Sequence, residues 1–250
     1  MLFRSRKNYS VIVVAVRGEA SPKLKKLVDK IYWLSLNEFS RMFDIFKQEG
    51  VNEVIMAGQI SPHRLFTKEV RQDRYLGEIL AGIRDKKADS IFGAIANKLK
   101  EHGLKLIDST IFIKEHLPQK GVLTKGEVSL IDWQDVDFGF QIAKGIAALD
   151  IGQTVAVKDK AIVAVEALEG TDHLIRRAGK VTKGGFTLVK VSKPNQDMRF
   201  DIPVVGLNTV KNLAKAKARC LAIEAEKTIF IDRQESIALA NRRHLAIVAV

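Results

Sequence analysis

The run SVIVVAV at residues 10–16 decides the fold class. It is short, continuous and β-branched, the pattern of a strand buried on both faces of a parallel sheet. Pro22 then opens a short helix reaching to about Lys30, and residues 31–34 read as a short strand. Residues 37–48 form an amphipathic helix, with Phe39, Met42, Phe43 and Phe46 on one face and Gly50 placed to end it. Residues 51–57 are the next strand. This β-α-β-α-β rhythm predicts a parallel, doubly wound α/β sheet.

Gly58, Gln59, Ile60 and Ser61 leave the third strand directly. Ligands of such sheets bind at the carboxyl ends of strands, so this turn is a candidate contact. An ordinary connection would equally use Gly58 for its backbone freedom. Residues 68–83 read as helical, Asp89 caps a second helix ending near Gly103, and residues 104–108 form a short strand. From residue 113 the periodicity weakens, with Pro118, Gly121 and Gly126 in the run. The expected organisation is an N-terminal domain at 1–112, a linker at 113–132 and a C-terminal domain at 133–250.

The C-terminal part opens on a helix over 133–149 with Val136, Phe140, Ala143 and Ala147 on one stripe. Residues 154–157 and 161–165 flank Lys158-Asp159-Lys160 as a β-hairpin. Asp150-Ile151-Gly152-Gln153 leads into that hairpin. Glu169-Gly170-Thr171-Asp172 leaves it and starts a helix over 173–178. A strand follows at 186–191, with Val189 and Val191 on one face and Leu188 and Lys190 on the other. Strands at 221–225, 228–231 and 245–248 and a helix at 234–242 complete the chain.

Between the 186–191 strand and a helix capped by Asn208 or Thr209 lies the loop of KVSKPNQDMRFDIPVVGLNTV, residues 190–210. Loops this long inside a compact domain are usually functional or disordered, and Phe200, Ile202, Val204 and Val205 are apolar enough to pin this one down. Lys190, Lys193 and Arg199 supply cations, Asn195 and Gln196 neutral donors, and Asp197 and Asp201 carboxylates. Phosphate wants such donors and a hard divalent cation wants carboxylate oxygens, so together they suit a phosphate ester handled with a metal. A surface loop with compensating charges would carry the same residue types. Glu166, Glu169, Asp172, Asp197 and Asp201 could each offer oxygens to magnesium, although a single carboxylate is more often a cap or an ion-pair partner. Thr171 and the amides beside Gly170 could hold a phosphate at a helix start.

The 250 residues allow one large or two modest domains, and 46% of them are hydrophobic, enough for a real core. Mean hydropathy is near zero. Cys220 is the only cysteine, which excludes an internal disulfide and a cysteine-based zinc site and agrees with a reducing compartment. No secretory signal is expected, because residues 1–9 are charged and only six strongly apolar residues follow. No run approaches the roughly twenty apolar residues of a membrane span. The formal charge of +12 favours polyanions: phosphorylated substrates, anionic lipid surfaces or nucleic acid. The basic clusters at 23–30, 98–105 and 211–219 lie in or beside helices and fit solvated faces, and no zinc-finger or aromatic RNA-binding pattern accompanies them. The five histidines lack metal-ligand spacing. There is no GxGxxG, Walker sequence or nucleophile motif.

Several stretches resemble the bacterial UDP-2,3-diacylglucosamine diphosphatase family of lipid A synthesis, the type unrelated to calcineurin-like phosphoesterases. They are DIGQ at 150–153, AVEALEGTD at 164–172, KVSKPNQDMRFDIPVVG at 190–206 with Thr209-Val210, and AGQIS at 57–61. The resemblance covers roughly residue 11 to the end. It implies an N-terminal Rossmann-like α/β domain and a C-terminal α/β domain peculiar to the family. It also implies magnesium-dependent hydrolysis of the diphosphate to 2,3-diacylglucosamine 1-phosphate and UMP. The family's essential aspartate in its R-x-D-x-P segment falls on Asp201, as catalytic residue and magnesium ligand, with Asp172 as a second ligand. The implied substrate contacts are Gly58, Gln59, Ser61, Gln153, Thr171, Asp172, Lys190, Lys193, Gln196 and Arg199. Family members usually begin with a strand, a turn of the type GLIAGGG and a helix. Only MLFRSRKN precedes the first strand here, so that opening element is expected to be absent. The implied setting is the cytoplasm, with peripheral attachment at the inner leaflet, no nucleic-acid partner, and a homodimer left open. Two other readings remain: a non-catalytic nucleotide-sugar or lipid-binding homologue, and a nucleic-acid-binding protein resting on charge alone.

Overall fold

The computed structural model describes residues 9–58, 60, 64, 67–85 and 87–250. Gln59, Ser61 and the segment before the first strand, residues 1–8, lie outside them. The chain forms two units, Met1–Phe112 and Ile113–Val250.

In the first unit, β1 (Ile12–Val16) pairs in parallel with β2 (Lys30–Leu34), with Ile12 opposite Lys30. A 3-10 turn at Pro22–Lys26 connects them, capped by Ser21, whose Oγ accepts from Lys23 N. Helix α1 (Arg41–Gln48) buries Phe43, Ile45 and Phe46. The expected single helix over 37–48 is divided, because a 3-10 turn at Leu36–Glu38 precedes α1. There Glu38 accepts from Ser35 N at 3.0 Å, while Asp73 accepts from both Ser40 N and Ser40 Oγ at 2.8 Å. The 68–83 helix also breaks in two, α2 (Lys68–Gln72) and α3 (Arg74–Gly82). Asp73 is extended between them and caps α3 through Leu76 N. Helix α4 (Ala88–Glu101) starts two residues earlier than expected, with Lys87 as its cap, so Asp89 sits in the first turn instead. An acidic residue there complements the helix dipole. Strands β3 (Glu53–Val54) and β4 (Lys105–Leu106) pair in parallel. Among the described residues the parallel pairing of this unit runs as two separate pairs.

The second unit holds a mixed sheet of six strands. The described strands of this unit are β5 (Gly121–Val122), β6 (Thr154–Lys158), β7 (Ala161–Val165), β8 (Thr187–Lys190), β9 (Val204–Val205), β10 (Cys220–Ile223), β11 (Ile229–Phe230) and β12 (Ala246–Ala249); β9 and β11 form a separate parallel pair outside the six-stranded sheet. The spatial order of the sheet is β5-β12-β10-β8-β6-β7. Its centre, β12-β10-β8, is parallel, and the β6-β7 hairpin and β5 are antiparallel additions at the two edges. Residues 113–132, expected as a linker, belong to this unit. Gly121 and Val122 pair with Ala249 and Val248, which closes an edge the sheet would otherwise expose.

Both faces of the sheet are covered, so its central strands are buried along their length, and they are apolar except for Thr187 and Lys190 at the two ends of β8. Helix α5 (Leu130–Ala148) packs Val136, Ala143 and Ala147 against Val155, Val157, Val189, Val191, Cys220, Ala222 and Val248. On the other face, α6 (Thr171–Thr182), α7 (Leu207–Lys215) and α8 (Arg233–Arg242) cover Leu188, Leu221, Ile223 and Ile247. The alternation expected for β8, Val189 to one face and Leu188 to the other, separates these two cores. Gly139 lets α5 approach the sheet, since a Cβ there would stand 2.7 Å from Val157 and Val189 side-chain carbons. Helix α7 starts at Leu207 on Gly206, earlier than the caps expected at Asn208 or Thr209.

The hairpin turn has positive φ at Asp159 and Lys160, the signature of a tight turn matching strand twist. Asp135, fully buried on α5, accepts from the amides of both, at 3.2 and 2.7 Å. Cys220 is fully buried in the core under α5, and burial pushes its thiol well above the usual range.

Candidate functional site

The sheet gathers polar groups where β8 and β10 end. Because β6 runs antiparallel to β8, its first residue, Thr154, lies opposite Lys190, the last of β8. The loops entering β6 and leaving β7, β8 and β10 therefore meet at one edge, the carboxyl edge of the parallel strands.

Lys190 is only 7% exposed. Its ammonium donates to Thr171 Oγ1 at 2.8 Å and Thr154 Oγ1 at 3.2 Å, and lies 3.7 Å from Glu166. Thr171 Oγ1 in turn donates to Glu166 Oε1 at 2.6 Å. The hydroxyl at the start of α6 thus stands between a buried cation and a buried carboxylate. A buried charge is tolerated only with such partners.

Lys193 lies three residues further on and is 6% exposed. Its ammonium sits 2.6 Å from Asp150 Oδ1 and 2.9 Å from Asp201 Oδ2. Both aspartates have left-handed backbone, with φ of 56° and 52°. That region is uncommon for residues other than glycine, and such conformations cluster at functional sites. Gln153 Nε2 donates to the same Asp201 Oδ2 at 3.2 Å. Gly152 brings this loop against the next one, for a Cβ there would meet Glu166 O at 2.2 Å. Asp150 Oδ2 and Gln153 Oε1 are buried with no hydrogen-bond partner among the described residues. One carboxylate oxygen of Asp150 lies within 4.8 Å of one of Asp201.

The other predicted residues separate by role. Gln196 knits the loop: it accepts from Lys193 N at 3.2 Å, and its amide nitrogen donates to the carbonyls of Asp197, Phe200 and Asp201 at 3.0–3.2 Å. Arg199 grips Asp197, through Nε at 2.9 Å and Nη2 at 2.7 Å. That hydrogen bonding holds the Asp197 carboxyl below the usual carboxylate range and raises Arg199. Asp172 stands exposed in the first turn of α6 and takes no part in the Asp150–Asp201 grouping. Gly58 has φ of +95°, with open space where a Cβ would point, so its backbone and not its surroundings demands glycine.

Three site residues escaped the reading of the sequence. Asp150 opens the DIGQ stretch, of which only Gln153 was taken as a contact. Glu224 and Lys144 carry no motif. Glu224 follows β10, is 6% exposed, and accepts from Ser192 N and Oγ at 2.8 Å, Lys144 Nζ at 2.8 Å and Lys227 Nζ at 2.9 Å. Burial pushes its carboxyl up, but the hydrogen bonds from Lys144, Lys227 and Ser192 outweigh burial and hold it below the usual range. Through Ser192 this network anchors the backbone next to Lys193.

Two family models match the chain: the LpxI N-terminal domain over residues 3–116 and the LpxI C-terminal domain over residues 119–248. A protein of Caulobacter vibrioides named UDP-2,3-diacylglucosamine pyrophosphatase LpxI is 27% identical over 248 residues, covering 95% of this chain and 88% of that protein.

Proposed function

This chain belongs to the LpxI family, and from that premise we propose that it hydrolyses the diphosphate of UDP-2,3-diacylglucosamine. The products are 2,3-diacylglucosamine 1-phosphate and UMP, in lipid A biosynthesis. The name of the Caulobacter relative supports the substrate. The observation that carries the reading is Lys193, a buried lysine paired with both Asp150 and Asp201 at the carboxyl edge of the sheet.

A diphosphate diester resists water because its oxygens are negative. Lys190, Lys193 and Arg199 are the cations that neutralise and orient it, and Thr171 adds a hydroxyl held in place from both sides. Asp201 orients the attacking water or takes its proton. Magnesium, when bound, would add charge neutralisation at the phosphates. Asp150, Gln153 and Asp201 would hold it, and the fit is chemical: two of their buried oxygens have no hydrogen-bond partner among the described residues. Asp172 is not among these holders.

The substrate is an anionic lipid. No helix among the described residues is long and apolar enough to cross a membrane. The net charge of +12 supports peripheral attachment to an anionic leaflet, with the protein on the cytoplasmic side. Light scattering on the purified chain separates a monomer from the homodimer.

The test is incubation with radiolabelled UDP-2,3-diacylglucosamine and magnesium. Release of labelled UMP is the expected result. Tight binding without release would replace the enzyme by a binding homologue.

A further inference from the structure

Lys193 occupies a position that the chemistry of its neighbours suits to a different ion. Two carboxylates meet there, and the Gln153 side-chain amide donates to one of them; carboxylate and amide oxygens are the ligands a hard divalent cation takes. The group found between the carboxylates is an ammonium, at 2.6 Å from Asp150 and 2.9 Å from Asp201. A lysine ammonium is a compact point charge on a flexible stem, able to leave one set of acceptors for another. Only one of Asp150's oxygens is engaged by it. The other, and Gln153 Oε1, stay buried without a hydrogen-bond partner among the described residues. A monovalent cation with three donors thus leaves oxygens unsatisfied that a divalent ion with six or more ligand positions would use.

We infer that Lys193 is an exchangeable cation: its ammonium holds the place between Asp150 and Asp201 until a divalent ion takes it, and is then free to meet the phosphates of the substrate. Gln196 and Glu224 make the exchange local. Gln196 fixes the Lys193 amide, and Glu224 fixes Ser192 beside it, so the side chain can move while its backbone stays. Lys193 therefore opposes metal binding in the absence of substrate, although it assists substrate binding. The inference deepens the proposed reading and rests on it for the choice of magnesium.

Two measurements test it, neither of which depends on hydrolysis. The first is Mn2+ binding to the full chain, read by the electron paramagnetic resonance of the free ion. Lys193→Met and Lys193→Gln should each bind Mn2+ about tenfold more tightly than the parent, because two carboxylates lose their internal cation. Equal or weaker binding in folded variants overturns the inference. The second uses the parent alone, so it decides the matter should the variants fail to fold. Acetylation of Lys193 by a succinimidyl ester, followed by mass spectrometry, should speed up severalfold when magnesium is added. An unchanged or slower rate overturns the inference. An inactive parent that passes both measurements would sink the proposed activity and leave the exchange standing.

Discussion

Arg199 and Asp197 satisfy each other across a single intervening residue, with Nε and Nη2 of the guanidinium on the two carboxylate oxygens at 2.9 and 2.7 Å. Of the two aspartates in this loop, Asp197 is therefore the one already committed to a structural partner. Asp201 faces Lys193 and Gln153 instead. Asp201→Ala should fold, bind the substrate, and turn it over orders of magnitude more slowly, because the role proposed for this group is exerted mainly in the transition state. Asp197→Ala should keep most of its turnover. Steady-state kinetics on both variants checks this, and near-parental kcat in folded Asp201→Ala would remove the residue from the mechanism.

Lys190 is the cation whose loss should be felt in binding. Replacement by Met keeps the stem and removes the charge from between Thr171, Thr154 and Glu166. A hydrogen bond to a charged group is typically worth about 1.5–3 kcal/mol, so the dissociation constant for substrate should rise by roughly ten- to a hundredfold. Calorimetric titration in the Asp201→Ala background separates this from turnover. Parental affinity would return Lys190 to a purely structural role.

Gly152 predicts a stability effect that no charge accounts for. A methyl group there would lie 2.2 Å from a backbone carbonyl oxygen, which cannot swing aside as a side chain would. Gly152→Ala should cost about 1–3 kcal/mol or more, as overpacking does. The same displacement would move Asp150 and Gln153 off Asp201. Urea unfolding should show the loss, and an unaltered midpoint would mean that the two loops are free to part.

Glu224 should leave a signature in acid. Its carboxyl is held below the usual range in the folded chain, so its contribution is fully present above the ordinary carboxylate pKa of about 4.3 and is lost as pH falls through the lower folded value. Glu224→Gln should be less stable than the parent at neutral pH, and the gap should close as pH drops below about 4. Thermal melts across pH 3–7 supply the comparison. A gap that does not change with pH would deny the depressed pKa.

Much of the second unit was legible because its signals are local. The buried runs of β10 and β12 are continuous and apolar, β8 carries Leu188 and Val189 between Thr187 and Lys190, and the hairpin is announced by Lys158-Asp159-Lys160. The role proposed for Asp201 came from a motif. Its partner Asp150 lies 51 positions away, and only the antiparallel register of β6 on β8 brings Gln153 and Asp150 to the end of the strand that carries Lys190. Glu224 was silent for the same reason: its partners Lys144 and Ser192 come from α5 and from the residues after β8. The divided helices of the first unit reflect tertiary override, since Asp73 captures Ser40 and breaks a pattern that periodicity alone would carry through. The edge strand β5 is two residues long, too short for any alternation to reveal it.

The sealed position of Cys220 has a practical consequence. Its sulfur lies under α5 with no exposed surface and a thiol held protonated, so electrophiles that need a thiolate should pass it by. It is the sole cysteine in the sequence. A cysteine introduced at a surface position such as Leu168, which is 72% exposed beside the loop of Glu166, would then be the one maleimide target on the molecule. The native chain already serves as a background for single-dye attachment, and a fluorophore placed there could report ligand arrival without any prior removal of native thiols.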